Sequence, residues 1–405
     1  MSRSKVYDIA VVGGGIVGLA TAYKLQSKYP NLTLTVLEKE PLLASHQTGR
    51  NSGVIHSGLY YRPGSYRALN CVNGRKQLVD FAKDHGIDHD VCGKIVVATA
   101  EEEIPRLEKI RENGLKNGLV GIEVIDHERI KEIEPYIEGI KALWVPESGI
   151  IDFRGVTLKL AELIKEINPA SEILTDCEVM HFERGEVSSI TSSKGIIQSR
   201  YMVFCGGLHS DRLARKDDVH LDMRIVGFRG DYYDLTEQGM KKIKNLVYPV
   251  PNPEFPFLGV HFTRMTDGTI ECGPNAVFTF KREGYGKTDF SLKDTLEALV
   301  YKGTWKLFFK HWRFGLNEYK RAFSKRLFLT QLQRMCPSLT MDDIKPGRSG
   351  VRAMALGDHG DVIDDFKIEY KDRSIHVLNA PSPAATACLS IGDEVTSLAE
   401  QHFGL

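Results

Sequence analysis

Asp8-Ile9-Ala10-Val11-Val12-Gly13-Gly14-Gly15-Ile16-Val17-Gly18, answered further on by Leu34-Thr35-Val36-Leu37-Glu38, decides how this chain folds. The apolar run ending at Val12 reads as a buried strand. Leu19, Ala22, Tyr23 and Leu25 then recur with helical spacing, and a second buried strand ends at Leu37. The glycines fall as G-x-G-x-x-G, and Glu38 lies 20 positions past Gly18, at the end of the second strand. Strand, glycine turn, helix and acid in this spacing form the dinucleotide-binding arrangement. Gly13 makes the tight turn, Gly15 lets the backbone approach a pyrophosphate, and Gly18 lets helix and strand pack closely. The helix start, with Gly14, Ile16 and Val17, turns N–H donors and the positive end of its dipole toward phosphates. Glu38 accepts hydrogen bonds from a ribose diol, which argues against a 2′-phosphate there. A glycine turn without ligand would not require the acid at this distance.

The chain has 405 residues, which suits two or three domains, or two interleaved ones. Lys+Arg and Asp+Glu both number 53, so no overall field points to nucleic acid. The seven cysteines (71, 92, 177, 205, 272, 336 and 388) are scattered and odd in number, with no C-x-x-C. They read as reduced thiols of a cytoplasmic protein. The sequence shows no metal cluster. The first strand starts within eight residues of Met1, so no signal or transit peptide is expected. No apolar run approaches roughly 18 residues, so no spanning helix is expected.

Beyond Glu40 the chain stays polar: Leu43 to Thr48 leads into Gly49-Arg50-Asn51-Ser52-Gly53-Val54-Ile55-His56-Ser57-Gly58. This is a loop whose backbone lies against something, and a flavin along it explains the composition; a mobile surface loop is the bland alternative. Helices are expected at Arg67–His85, Glu101–Asn117 and Phe153–Ile167, the last capped by Asp152. Tyr201–Phe204 runs into a second glycine turn, Cys205-Gly206-Gly207. From Arg224 the pattern reads as antiparallel, with strands at Ile225–Tyr233, Asn245–Pro249, Leu258–Thr263 and Thr269–Cys272. Residues 281–326 carry 12 Lys/Arg against 5 Asp/Glu, with Trp305, Phe308, Phe309, Trp312 and Phe314 interleaved. That block reads either as a solvated helical pair or as a face that lies on an anionic membrane surface. Ser382-Pro383-Ala384 is expected to start the C-terminal helix, which either aims its N-terminus at the flavin ring or serves packing alone.

The expected fold is α/β: a Rossmann-like FAD-binding domain (1–90, 150–218 and 345–405) interleaved with a mixed or antiparallel-sheet substrate domain (91–149 and 219–344). One dinucleotide fingerprint is present, whereas a flavoenzyme that uses NADPH carries a second. The expected cofactor is therefore FAD, reduced by a small substrate.

Further segments carry a resemblance. They are Gly49–Tyr61, Phe228-Arg229-Gly230-Asp231-Tyr232-Tyr233, Phe257–Arg264, Glu271-Cys272-Gly273-Pro274-Asn275-Ala276, Ser349-Gly350-Val351-Arg352-Ala353 and Asn379–Ala384. With the fingerprint they run in order along nearly the whole chain. The sequence resembles the FAD-dependent D-amino-acid oxidase/glycerol-3-phosphate dehydrogenase superfamily, and within it the L-2-hydroxyglutarate dehydrogenase/oxidase family. Position 231 is Asp where that pattern more often has Glu. The resemblance implies a two-domain fold, oxidation of (S)-2-hydroxyglutarate to 2-oxoglutarate, and electrons leaving through non-covalent FAD to a quinone or another acceptor. It implies cofactor contacts from Lys39, Thr48, Arg50, Asn51, Ser52, Gly53, Val54, Val179, Cys205, Gly206, Gly207, Gly350, Arg352, Ser382, Pro383 and Ala384, beside the fingerprint.

Such a reaction removes a hydroxyl proton and moves a hydride to the flavin, and histidine suits the first step. His261, on a strand between Val260 and Phe262, is the favoured base; His56, in the glycine loop, is the second candidate. Either could instead be a hydrogen-bonded structural histidine. A dicarboxylate brings two charges that need cations or several donors. Arg352, Arg264, Arg229 and Arg62 are the candidates, each open to a purely structural salt bridge. Tyr60, Tyr61, Tyr232 and Tyr233 add hydroxyl donors, or pack in the core. The competing expectations are a related flavin oxidoreductase acting on glycerol 3-phosphate or a small amine, and a non-catalytic flavin-binding protein. The expected location is cytoplasmic, with peripheral contact to the inner face of a membrane through 281–326.

Overall fold

The computed structural model describes residues 5–252 and 258–405. Phe257 of the Phe257–Arg264 motif lies outside the described residues. Two large sheets organise the chain. In the first, the strands run Val179–Glu183, Ser188–Ser192, Gly195–Phe204, Val6–Val12, Leu34–Leu37, Glu172–Leu174; Ser374–Asn379 adds on beside Gly195–Phe204, and Lys367–Lys371 beside it. The four central pairings, including those of Val6–Val12 to Leu34–Leu37 and to Gly195–Phe204, are parallel. The β-branched run of Val6–Val12 is buried on both faces, as a parallel strand covered by helices must be. The helix Ile16–Lys28 packs against the C-terminal helix Cys388–Phe403. Gly392 makes that crossing close: a Cβ there would stand 2.8 Å from the Ala20 carbonyl oxygen. Leu19, Leu25, Ile391 and Val395 are fully or almost fully buried in this layer, each contributing about 1.5–3 kcal/mol of burial.

The second sheet runs Val277–Phe278, Met223–Leu235, Ile270–Gly273, His261–Arg264, Leu246–Pro249, Lys94–Ala98, Lys141–Val145, Glu123–Asp126. It is mixed: Leu246–Pro249 and Lys94–Ala98 run parallel, and the other pairs run antiparallel. A small third sheet joins Val54–Ile55, Gly149–Ile151 and His89–Asp90. The expected α/β architecture is present: a nucleotide sheet with a parallel centre and antiparallel edges, and a second, mixed sheet.

Three expectations need adjustment. Ile344–Gly357 pairs along its length with Met223–Leu235, so sheet membership changes after residue 357 and not at 345. The helix His127–Ile133, capped by the Asp126 carboxylate on the Arg129 N–H, was not foreseen; it is too short for a periodic signal. The C-terminal helix begins at Cys388, because Pro383 has no N–H and restricts Ser382. Residues 382–387 form turns instead, with the Ala387 N–H 3.0 Å from the Pro383 carbonyl.

The basic block forms the helices Leu292–Leu299, Lys302–Phe323 and Lys325–Leu332. The long one is kinked at His311, which leaves helical angles (φ −122°, ψ 24°). Thr304, Leu307, Glu318 and Ala322 face inward, whereas Phe309, Trp312, Leu316 and Phe323 are exposed. No helix among the described residues is long and apolar enough to cross a membrane.

Candidate active site

The nucleotide cradle is built by close approach. Gly13 has φ +121°, and a Cβ there would fall 2.4 Å from the Cys205 carbonyl oxygen, so the two glycine turns touch. At Gly18 a Cβ would fall 2.0 Å from the Gly13 oxygen. Gly15 caps the helix without any side-chain bond, and a Cβ on it would meet just Thr48 Oγ1, at 3.4 Å. The helix start is thus open on the side where phosphates bind. Thr48 Oγ1 also accepts the Ile16 N–H at 3.0 Å, keeping the loop against the helix. The Glu38 carboxylate accepts the Gly14 N–H at 2.7 Å and the Glu40 N–H at 2.9 Å, so the acid holds the turn and keeps lone pairs for a diol. These residues fit an adenine dinucleotide with a free ribose.

Beside Glu38 lies a charged network that the sequence did not reveal. His46 Nε2 stands 2.8 Å from Glu40 and 3.3 Å from Glu283, and its Nδ1 is 2.6 Å from the Tyr285 hydroxyl. Lys39 pairs with Glu283 and Glu40, and the Arg50 guanidinium covers the Tyr285 ring at 3.9 Å. Burial pushes the Glu283 carboxyl up, but His209, Lys39 and His46 outweigh it and hold it down at about 2. The Glu40–His46–Glu283 group has ligand-like spacing, yet the Lys39 ammonium already supplies its countercharge.

The loop at 49–56 is held, not mobile. Arg348, paired with Glu271, donates to the carbonyls of Gly49 (3.0 Å) and Asn51 (2.6 Å). Asn51 donates to the carbonyls of Gln47 and Thr48 and accepts the Gly53 N–H at 2.8 Å. Gly350 lets its strand touch the loop, since a Cβ there would be 2.2 Å from the Arg50 oxygen. Ser52 bonds Tyr232. The Thr386 hydroxyl accepts the His56 N–H at 3.1 Å and donates to the Val54 carbonyl at 3.2 Å. Arg67 donates to the Ser382 carbonyl at 2.6 Å, which ties the C-terminal turn to the same place.

Behind the loop, chain segments far apart in sequence form one chamber. His261, 5% exposed, has its Nδ1 2.9 Å from the Gly259 carbonyl. A carbonyl can only accept, so Nδ1 carries the hydrogen and Nε2 keeps its lone pair. The ring stacks on Tyr248, centroids 4.0 Å apart. Burial lowers the His261 pKa to about 3, and the charges of Arg352 and Lys94 add to this. His56 is lowered to about 3 by the same burial, then by Lys94, Arg67, His261 and Arg352. Both imidazoles are neutral at pH 7. Burial raises the phenols of Tyr60, Tyr61, Tyr232 and Tyr248, so they remain donors. Arg352 lies within electrostatic reach of His56, His261, Tyr232 and Tyr248.

Other expected residues sit elsewhere. Arg229, 4% exposed, is engaged by Asp231 (2.7 and 3.3 Å) and the Gly286 carbonyl. Arg264 pairs with Asp90, because three positions along a strand put it on the face opposite His261. Arg62 is exposed. Tyr233 packs on Phe328, centroids 4.6 Å apart, and the Val179 side chain lies in the hydrophobic core with Leu37 and Phe204. Lys94, Tyr248, Arg67 and Arg348 were missed. For Lys94 a signal existed: one charge heads the otherwise apolar strand Lys94-Ile95-Val96-Val97-Ala98, and all five residues are buried. A Ser374–His376–Asp217 grouping also exists, but its side chains are 0–1% exposed, which marks it as structural.

Residues 8–398 match the family described as DAO, FAD dependent oxidoreductase. The chain is 44% identical over 399 residues to an L-2-hydroxyglutarate dehydrogenase of Indibacter alkaliphilus, covering 98% of this chain and 100% of that one. It is 42% identical over 417 residues to the mitochondrial L-2-hydroxyglutarate dehydrogenase of Homo sapiens (98% and 90%), and 41% identical over 394 to the L-2-hydroxyglutarate dehydrogenase of Escherichia coli K12 (97% and 93%). Among solved structures, L-alpha-glycerophosphate oxidase from Mycoplasma pneumoniae with FAD bound superposes with a TM-score of 0.79 at 23% identity, covering 97% and 94%. Glycine oxidase from Geobacillus kaustophilus gives 0.73 at 15%, covering 98% and 95%; both establish the fold alone. The cradle, the chamber and these likenesses agree: the chain belongs to the FAD-dependent oxidoreductase family, on its L-2-hydroxyglutarate dehydrogenase branch.

Proposed function

We propose that this protein oxidises (S)-2-hydroxyglutarate to 2-oxoglutarate, with His261 as base. One observation carries the reading: a neutral imidazole, its Nε2 lone pair without a hydrogen-bond partner among the described residues, stands in a buried chamber within the field of Arg352. FAD, when bound, would supply the two-electron acceptor. Arg352 attracts the carboxylate next to the reacting carbon and orients the hydroxyl toward His261 Nε2, which takes its proton. The incoming anion offsets the positive neighbours of His261 and raises its basicity when it is needed. The protonated tyrosines donate to carboxylate or hydroxyl oxygens, and burial keeps water from the hydride path. His56, tied to the C-terminal turn, lines the same chamber.

The test is anaerobic titration of the yellow protein with each enantiomer of 2-hydroxyglutarate. Rapid bleaching of the visible flavin band by the S form alone is expected. Bleaching by glycerol 3-phosphate, sarcosine or D-alanine in its place, or by nothing, overturns the assignment. Acid precipitation is expected to release the flavin to the supernatant, as a non-covalent cofactor would be.

The electrons then pass to a membrane quinone, on this reading. The exposed row of Phe309, Trp312, Leu316 and Phe323, set among Lys302, Lys306, Lys310 and Arg313, supports docking on an anionic bilayer. Sedimentation with anionic vesicles tests it; no binding at low salt removes this part.

A further inference from the structure

We infer that Lys94 anchors the second carboxylate of the substrate, the one remote from the reacting carbon. This rests on the reading above and names the residue that makes it specific for a diacid.

Lys94 is 1% exposed, and no carboxylate among the described residues comes within ion-pair distance of its ammonium. A buried, unpaired cation costs several kcal/mol, so its retention calls for a partner. The neighbours are aromatic: the ammonium lies 4.7 Å from the Tyr60 ring centre and 4.8 Å from that of Tyr248. Such faces attract a cation without neutralising it. The Tyr60 hydroxyl, also buried, has no hydrogen-bond partner among the described residues. An ammonium and a phenol thus both await an acceptor.

Strand register aims this pair at the reacting centre. Val96 lies opposite Tyr248, so Lys94, two residues away, shares the Tyr248 face. Val247 lies opposite Phe262, which puts Tyr248 and His261 side by side. Lys94, Tyr248 and His261 therefore line one wall. Lys94 acts on both His56 and His261 electrostatically, in company with Arg352. A chain with a carboxylate at each end would span Arg352 and Lys94 and leave its hydroxyl at His261. The nearby Cys71 is no substitute partner: burial pushes its thiol up to about 12, so it stays uncharged.

Burial lowers the Lys94 pKa to about 7, so in the free enzyme part of the population is neutral at pH 7. Engaging a carboxylate must recharge it, which predicts proton uptake on binding above that pH.

The experiment compares flavin-loaded wild type and Lys94→Met on (S)-2-hydroxyglutarate and (S)-2-hydroxypentanoate, which carries a methyl in place of the remote carboxylate. For Lys94→Met, kcat/KM on the diacid is expected to fall about 10²-fold or more, chiefly through KM. On the monoacid the loss is expected to be at least about tenfold smaller, and the unfolding temperature holds or rises, because an uncompensated charge has gone. Equal losses on both substrates overturn the inference. A second measurement needs no variant: calorimetry of glutarate binding to the wild-type holoenzyme at about pH 8, in buffers of different ionisation enthalpy. Proton uptake supports the inference, and its absence overturns it. If the wild type oxidises neither compound, the proposed activity fails instead, and the two failures are told apart.

Discussion

The cradle and the chamber are made in opposite ways. The cradle comes from a few neighbouring segments, and its tolerances are set by backbone: Gly13 and Gly18 leave no room for a single carbon. The chamber draws Lys94, Tyr248, His261 and Arg352 from paired strands, and Tyr60 and Arg67 from the turn and helix that follow the glycine loop. Backbone contacts make the first site brittle to any added atom. Side-chain contacts make the second adjustable, since a residue there can change substrate or rate and leave the fold standing.

The sharpest break should come in the cradle. In Gly18→Ala a methyl meets the Gly13 oxygen, so the turn must open; flavin content after purification should fall by more than tenfold, with about 3 kcal/mol or more of stability lost. Retained flavin would show that the two glycine turns do not control binding. Next, His261→Ala should keep its flavin and lose about 10²–10⁴-fold in kcat, and His56→Ala less. If His56→Ala proves the more damaging, the base assignment reverses. The pH dependence of stability sharpens the contrast further. Both imidazoles have folded pKa values of about 3, against about 6.5 unfolded, so the unfolded chain holds more protons between those values. Stability should be full above about pH 6.5 and drain away as acid approaches 3; the slope should be shallower in a His56→Gln, His261→Gln double variant. The smallest effect belongs outside both sites. Phe309→Glu, on an exposed face, should shift stability by no more than about 0.5 kcal/mol and yet weaken vesicle binding.

How much could be read from the chain follows the same divide. The fingerprint was legible because Gly13, Gly15, Gly18 and Glu38 work at fixed short spacings. The chamber was legible only residue by residue. His261 and Arg352 stood out as chemistry within motifs, but strand partners decide which side chains meet, and one sequence does not state them. Some parity was there to use: Arg229 and Asp231, two apart, share a face and satisfy each other, and Arg264 cannot share a face with His261. Lys94 is hard to read from the chain because a lysine at a strand end ordinarily reaches water. The C-terminal helix starts four residues beyond Ala384, since Ser382-Pro383 resembles a start signal but folds as a turn.

Thr386 has a consequence for the order of folding. Its hydroxyl bridges Val54 and His56, while Ser374–Asn379 slots beside Gly195–Phe204 within the parallel layer. The pocket loop is therefore fastened by a residue 330 and 332 positions further along the chain than its partners. The glycine turn can form from its neighbours, but closing the pocket is a long-range step that waits on the assembly of the whole sheet.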